Sequence, residues 1–282
     1  MTIKHFLLFS GVLISTVTSC RSDVDRDEKE DEIILQYEDR DPDAVDTLNE
    51  QYNTRPESEA GDIQNTFDQC SATLTAIVRD FPDSHPDFHH SGEQEKSGDA
   101  LVTGMVETDL GPDEKPVLGA SRFFSGNLDE WYESIPGVNQ TFVSSIQLHE
   151  SSEGTWTHDN DTFFPLGPTQ GYGHEYNADG DGVPRNFLFT TEIRMKFTYK
   201  KGQVFRFKGD DDLWVFINGK LAIDLGGIHS QREMEVDIDA HAAATGMTPN
   251  GKYTMHIFHA ERNPVESHFR IDTNIDCFVP VV

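Results

Sequence analysis

The sequence predicts an all-β fold for residues 70–282, either a β-sandwich or a partly closed β-barrel, with short helical turns. Runs rich in Val, Ile, Phe, Tyr and Thr recur along this region and are separated by Gly, Pro, Asn and Asp, which is typical of strands joined by turns. Long helical patterns do not alternate with these runs, so a parallel α/β sheet is not expected. The chain has 36% hydrophobic residues and 19 Phe, enough to build a core.

Nine runs are expected to form strands and two short segments to form helical turns. The expected strands are residues 74–79, 142–149, 187–199, 203–207, 213–217, 221–225, 234–238, 253–259 and 269–272. The helical turns are expected at residues 128–134 and 240–245. We therefore expect one β domain at residues 70–282, preceded by segments of different composition.

Residues 1–19 have the pattern of an export signal, with Lys4 followed by an apolar stretch too short to span a bilayer. The stretch ends in Val17-Thr18-Ser19-Cys20, which resembles the lipobox of bacterial lipoproteins and implies lipidation of Cys20. An ordinary cleaved signal is the alternative. Arg21 and Ser22 follow without the Asp that favours inner-membrane retention, so we expect a lipid-anchored protein at the outer membrane or cell surface.

Residues 20–69 are expected to be a disordered acidic tether. Residues 21–69 contain 17 Asp plus Glu against five Lys plus Arg, with few aromatic residues. Such a composition buries too little apolar surface to offset the entropy of ordering. We therefore expect a solvated stalk between the lipid and the β domain, with local order at most in residues 33–37.

The chain carries 50 acidic and 22 basic side chains, a net charge of −28. An acidic surface repels a phosphate backbone, which excludes nucleic acid as an expected partner. The charge is compatible with divalent cations and with uncharged ligands such as sugars. A glycoside hydrolase needs only two carboxylates, but acidic residues are so frequent here that any pair is uninformative. No nucleophile or phosphate-binding motif occurs, and we do not expect an enzyme.

The three cysteines fit an exported protein. With Cys20 lipidated, Cys70 and Cys277 remain near the two ends of the expected domain, and such a leftover pair usually forms a disulfide. The alternative is two free buried thiols.

The stretch 209–227 is the most informative part of the sequence. Asn218-Gly219 between two apolar runs predicts a β-hairpin with a two-residue turn. This turn fixes a register in which both faces of the hairpin are apolar and Asp224 lies opposite Leu213. We therefore expect the hairpin to be covered on both sides, with Asp224 beside the neighbouring acidic residues.

Asp210, Asp211 and Asp212 stand together at the start of the first hairpin strand. Burying adjacent carboxylates is costly unless a cation or hydrogen-bond donors compensate them. Ca²⁺ is the natural compensator, since it accepts oxygen ligands in irregular geometry. The alternative is a solvated acidic turn.

Several motifs together resemble the fibro-slime domain family across residues 74–276. They are Gly209–Gly227 with His229, Phe258–Arg262 with Ser267 and Phe269, and shorter matches including His85–Phe88, Trp131-Tyr132, Phe163–Leu166 and Asn186–Glu192. That family is similar to the β-barrel modules of the anthrax protective-antigen type. The resemblance implies that two of Asp210, Asp211 and Asp212, in some members joined by a cis peptide, hold a Ca²⁺ that binds sugar hydroxyls. It also implies a second loop contributing to the ion, for which Asn263 is the candidate.

Three further residues are candidates for ligand binding. Trp156 lies in a polar setting and could stack on a sugar ring, with core packing as the alternative. His229 could contact a ligand, although hydrogen bonding to backbone near the hairpin is the simpler expectation. Arg262 could hold the aspartate loop, or form a structural pair with Glu261. Residues 177–182 begin like a calcium loop, but an EF-hand would need Glu where Leu188 stands.

The sequence thus favours a surface lipoprotein that binds carbohydrate through Ca²⁺ and serves adhesion. The alternative is a structural or protein-interaction module in which the Ca²⁺ is purely structural. A hydrolase is the third and weakest hypothesis.

Overall fold

The computed structural model describes residues 69–88, 100–121, 124, 126–173, 183–263 and 266–281. All described residues belong to one compact unit, Ser58–Val282. The predicted signal, Cys20, the tether and the loop at 177–182 lie outside the described residues. No helix in the described part is long and apolar enough to cross a bilayer.

Twelve strands, numbered in chain order, form two antiparallel sheets. The first sheet contains β1 (Thr73–Asp80), β2 (Gln140–Gln147), β5 (Phe189–Thr198), β7 (Asp212–Ile217), β8 (Lys220–Leu225), β10 (Lys252–Glu261) and β12 (Phe278–Pro280). Its order is β2-β1-β5-β10-β7-β8, with β12 also pairing with β5. The second sheet contains β3 (His149–Ser152), β4 (Thr155–Asn160), β6 (Val204–Gly209), β9 (Arg232–Asp237) and β11 (Phe269–Thr273), in the order β3-β4-β11-β6-β9.

The nine expected strands are all present, and β3, β4 and β12 were not predicted. β3 is exposed throughout and β4 reads Thr-Trp-Thr-His-Asp-Asn, so neither carries an apolar run. The first helical turn is a short 3-10 turn at Leu128–Glu130. The second is helix α1 (Ile238–Thr245), which begins earlier than expected because the Asp237 side chain caps the backbone N–H groups of Asp239 and Ala240.

Two apolar cores cover the two faces of the first sheet. The larger core lies between the sheets and includes Val78, Ile193, Phe207, Val215 and Ile271. The smaller core covers the opposite face of the first sheet and includes Phe81, Phe88, Trp131, Trp214 and Phe258. The prediction of an all-β sandwich is therefore confirmed, and so is the expectation that the hairpin is covered on both sides.

The hairpin register is correct near the turn and wrong beyond it. Phe216 pairs with Leu221 as predicted, but Val215 pairs with Ile223 because a β-bulge at Ala222 shifts the register by one residue. The shift moves Ile223 into the larger core, on the face opposite to the one predicted. Asp224 consequently lies opposite Trp214, not opposite Leu213.

The predicted disulfide is present. Cys70 and Cys277 are bonded across a separation of 207 residues, with their Cα atoms 4.9 Å apart. Cys70 precedes β1 and Cys277 precedes β12, so the bond ties together both ends of the described domain.

Candidate functional site

The aspartate cluster lies where the chain crosses from one sheet to the other. β6 of the second sheet ends at Gly209 and β7 of the first sheet begins at Asp212, so Asp210 and Asp211 form the crossover. Asp211 has a φ of 50°, the left-handed conformation that so tight a crossover requires. Asp210 and Asp211 are each 4% exposed and Asp212 is 0% exposed, so the solvated-turn alternative does not hold.

Asp212 is compensated by the protein itself. Arg262 donates from Nε to Asp212 Oδ2 at 2.5 Å, and the Gly227 N–H donates to Oδ1 at 2.7 Å. The Arg262 guanidinium is fully buried and lies 4.9 Å from the ring centre of Trp131. Arg262 thus holds the aspartate loop as expected. It pairs with Asp212 rather than with Glu261, because neighbouring residues on a strand project to opposite faces.

Asp211 is compensated on one oxygen only. The backbone N–H groups of Arg262 and Asn263 donate to Oδ2 at 2.8 and 2.9 Å. Asp211 Oδ1 accepts no hydrogen bond from the described residues. Burial raises the pKa of Asp211 to about 8, against the opposing charge of Arg262 and with the added repulsion of Asp212. The carboxylate is therefore held in place without enough positive charge around it.

Asp210 contacts a residue that the sequence reasoning missed. The His268 backbone N–H donates to Asp210 Oδ1 at 2.6 Å, and His268 Nδ1 lies 2.6 Å from Oδ2. Glu266 Oε2 lies 4.0 Å from the same Nδ1. Potential metal-binding atoms of Asp210, Glu266 and His268 all lie within 4.8 Å of one another. Only the pairing of Phe269 with Gly209 reveals this neighbourhood, and that pairing between distant strands is not readable from sequence.

Asp224 does not join the aspartate cluster. Its Oδ1 accepts from Trp214 Nε1 at 3.1 Å and its Oδ2 from the Gly104 N–H at 2.9 Å. These bonds attach it to the smaller core and to the segment 100–121. The predicted placement depended on the unbroken hairpin register, and the bulge at Ala222 is the reason that it is wrong.

His229 and Asn263 lie beside the cluster, and Trp156 does not. His229 has its ring nitrogens 3.1 Å from the Leu225 carbonyl and 2.9 Å from the Ser230 carbonyl, so the backbone contacts are confirmed. Trp156 pairs with Thr273, four residues along β11 from Phe269 and thus about 13 Å from the aspartate end. It lines a cavity of about 140 Å³ beside the disulfide.

The donor set of the crossover fits a hard cation. Asp210 and Asp211 offer carboxylate oxygens, the ligands that Ca²⁺ prefers, and Asp211 Oδ1 lacks any donor among the described residues. Three buried aspartates face one buried guanidinium, so Arg262 does not balance the charge. Asp212 is committed to the buried Arg262 guanidinium and the Gly227 N–H, whereas the partners of Asp210 come from the less buried His268. The peptide bonds of the described residues are all trans, so the cis peptide seen in some members of the resembled family is not found there.

Comparisons with known proteins identify related sequences. "Protein psiQ" of Dictyostelium discoideum is 34% identical over 226 residues, covering 75% of this chain and 22% of that protein. "Protein psiD" of the same organism is 31% identical over 226 residues, covering 73% of this chain and 42% of that protein. The chain therefore matches less than half the length of either relative.

Among solved structures, the "PA14 sugar-binding domain from RTX adhesin" aligns with a TM-score of 0.27 and 14% identity, covering 45% of this chain and 75% of that one. The Epithelial Adhesin 9 A domain from Candida glabrata aligns with a TM-score of 0.29 and 12% identity, covering 76% of this chain and 94% of that one. A family model gives the most specific match: residues 176–276 of this chain match the PA14 domain.

Proposed function

We propose that this protein binds carbohydrate through a Ca²⁺ ion at the Asp210–Asp211 crossover, and that it serves adhesion. One observation carries the proposal: three buried aspartates lie beside one buried guanidinium, and that guanidinium is bound to Asp212. The PA14 match includes this crossover. The resemblance described from the sequence implies the same type of ligand.

Asp210 and Asp211 would hold the ion, with Asn263 at its edge, while Asp212 holds Arg262. When bound, the Ca²⁺ would supply open coordination positions for vicinal sugar hydroxyls. The protein's own groups prepare the site. The N–H groups of Arg262 and Asn263 fix Asp211 Oδ2, and this orients Oδ1. A single site of this kind would bind with an affinity of about 1 mM to 100 µM, and many copies at a surface would raise the avidity.

A second function is favoured by the depth of the cluster. Asp210 and Asp211 are each only 4% exposed, so a bound ion could be structural and the partner a protein. A hydrolase is not proposed, because the described site offers carboxylates that are already engaged in holding the loop.

The display of the domain through a lipid on Cys20, at the outer membrane or cell surface, is part of the proposal and is tested by fatty-acid labelling of wild type and Cys20→Ala.

A glycan array probed with and without a calcium chelator tests the binding proposal. We expect a glycan signal that requires Ca²⁺ and is lost in Asp211→Asn. The matched control is Asp276→Asn, since Asp276 is an exposed carboxylate paired with Lys200. Stabilisation by Ca²⁺ without any glycan signal would favour the structural role, and a glycan signal insensitive to chelator would overturn the mechanism.

A further inference from the structure

Glu261 is a fourth buried carboxylate at the aspartate cluster. It is the last residue of β10 and is 0% exposed. Its side chain lies on the face of β10 opposite to Arg262, the same face as His259, whose ring lies 5.4 Å from that of Phe269 in the second sheet. Glu261 therefore faces the space between the two sheets, where the crossover at Asp210 and Asp211 closes one end.

One carboxylate oxygen of Glu261 has no hydrogen-bond partner among the described residues. Oε1 accepts from the Asn263 N–H at 3.3 Å, whereas Oε2 is buried and accepts none. The Ser267 hydroxyl is close enough to Glu261 to lower the pKa of that carboxyl, but it donates its one hydrogen to the Phe163 carbonyl at 2.8 Å. A buried, unpartnered carboxylate oxygen is costly unless a proton or a cation meets it.

The neighbours of Glu261 on the same face supply no positive charge. His259 pairs with Thr191 across the strands, and the Thr191 hydroxyl is buried without a partner in the described part of the chain. The His259 ring lies near the Asp210 backbone. Burial lowers the pKa of His259 to about 3, so its ring is neutral. Arg262, the buried cation nearest in sequence, is bound to Asp212 on the other face.

Glu261 and Asp211 form a carboxylate pair. The Asn263 N–H donates to both Asp211 Oδ2 and Glu261 Oε1, so these two oxygens lie no more than about 6 Å apart, within the range of strong charge interaction. Glu261 has a further oxygen, Oε2, that is buried and that no described group serves. Burial and the charges of Asp211 and Asp210 raise the pKa of Glu261 well above its ordinary value.

We propose that Glu261 ligates the cation together with Asp211, as its inner ligand, and that Asp212 is not a ligand. The inference rests on the proposed function only in that a cation binds at the crossover. The inference adds Glu261, which would contact the cation from the side that faces the space between the two sheets.

The test compares Glu261→Gln with wild type in the full chain, by thermal unfolding with and without Ca²⁺ and by Tb³⁺ luminescence titration. Without Ca²⁺ we expect the variant to unfold at the same or a higher temperature, because an amide carries no charge that burial penalises. With Ca²⁺ we expect a smaller rise in unfolding temperature. Ca²⁺ and Tb³⁺ affinities should fall by about tenfold or more, since even loss of a group that only supports a ligand costs that much.

Control variants separate the outcomes. Glu233→Gln, an exposed carboxylate on the second sheet, should behave as wild type. If Glu266→Gln loses cation affinity and Glu261→Gln keeps it, the ion is held by the Asp210, Glu266 and His268 group and the inference is overturned. Should Glu261→Gln not fold, Glu261→Asp keeps the charge on a shorter side chain, and an affinity equal to wild type would overturn it. If Ca²⁺ does not stabilise wild type at all, the proposed function itself fails.

Discussion

The pair formed by Arg262 and Asp212 is the interaction whose loss should damage this domain most. Both side chains are 0% exposed, and Arg262 Nε lies 2.5 Å from Asp212 Oδ2. Arg262→Met keeps most of the side-chain length but leaves Asp212 as a buried charge supported only by the Gly227 N–H. Breaking a buried pair from one side costs about 3–5 kcal/mol, and losing a desolvated cation over an aromatic ring costs up to about 2 kcal/mol. Since these costs overlap, we expect a loss of about 4 kcal/mol in the free energy of unfolding.

Urea unfolding of the full chain, followed by tryptophan fluorescence, measures this loss. Trp131 and Trp214 are both buried and lie 6.2 Å apart, so the signal reports on this core. The double variant Arg262→Met/Asp212→Asn removes both charges, and we expect it to be more stable than Arg262→Met alone. Arg206→Met is the control, because Arg206 pairs with Glu235 at the surface, where such pairs contribute about 1 kcal/mol or less. If Arg262→Met costs no more than this control, or the double variant is the sum of the single ones, the reasoning is refuted.

Three further predictions concern stability. Cys277→Ser removes a disulfide that spans 207 residues and should lower the free energy of unfolding by about 4–5 kcal/mol. Urea unfolding measures this loss, with Cys20→Ser as control. Equal urea midpoints for Cys277→Ser and the control would contradict the prediction. Gly219→Val places a β-branched residue at a φ of 72° in the hairpin turn and should lower the free energy of unfolding by about 1–2 kcal/mol. An unchanged urea midpoint would argue against a turn that requires this positive φ. Burial and the Arg194 charge lower the pKa of His256 to about 4. Between about pH 6.5 and 4 the unfolded chain therefore binds more protons than the folded chain, and stability falls as the pH is lowered. His256→Leu should lose less stability than wild type over that range in the same assay, and parallel losses would exclude this cause.

The sequence was sufficient to predict the strands that carry apolar runs, and it failed where a strand has no such run. β7 reads Asp-Leu-Trp-Val-Phe-Ile and is buried at every position, so its composition alone identifies it. β3 and β4 are polar and pair through backbone groups, which leave no trace in side-chain pattern. The disulfide was predictable because, with Cys20 assigned to lipidation, only two cysteines remained to pair.

The position of the candidate site in the chain was predictable from the sequence, but the residues that contact its aspartates were not. Three adjacent aspartates before a buried hairpin indicated a compensated cluster, which the structure has. The compensating groups, Arg262 and His268, come from the residue directly after β10 and from the segment before β11, and only strand pairings over some 50 residues bring them there. Asp224 was misplaced for a smaller reason, since one bulged residue, Ala222, reverses which face each later residue occupies.

The disulfide also decides how the domain would respond to a mechanical load. Residues 70 and 277 are covalently joined with their Cα atoms 4.9 Å apart, so tension applied through the chain on either side is carried by the sulfur bridge. The strands between the two cysteines would remain unstretched under a pull that would otherwise peel β1 from β5, whereas β12 follows Cys277 and lies outside the closed loop. In the adhesive role proposed above, the disulfide would let the chain transmit force while the loops within the closed region keep their shape.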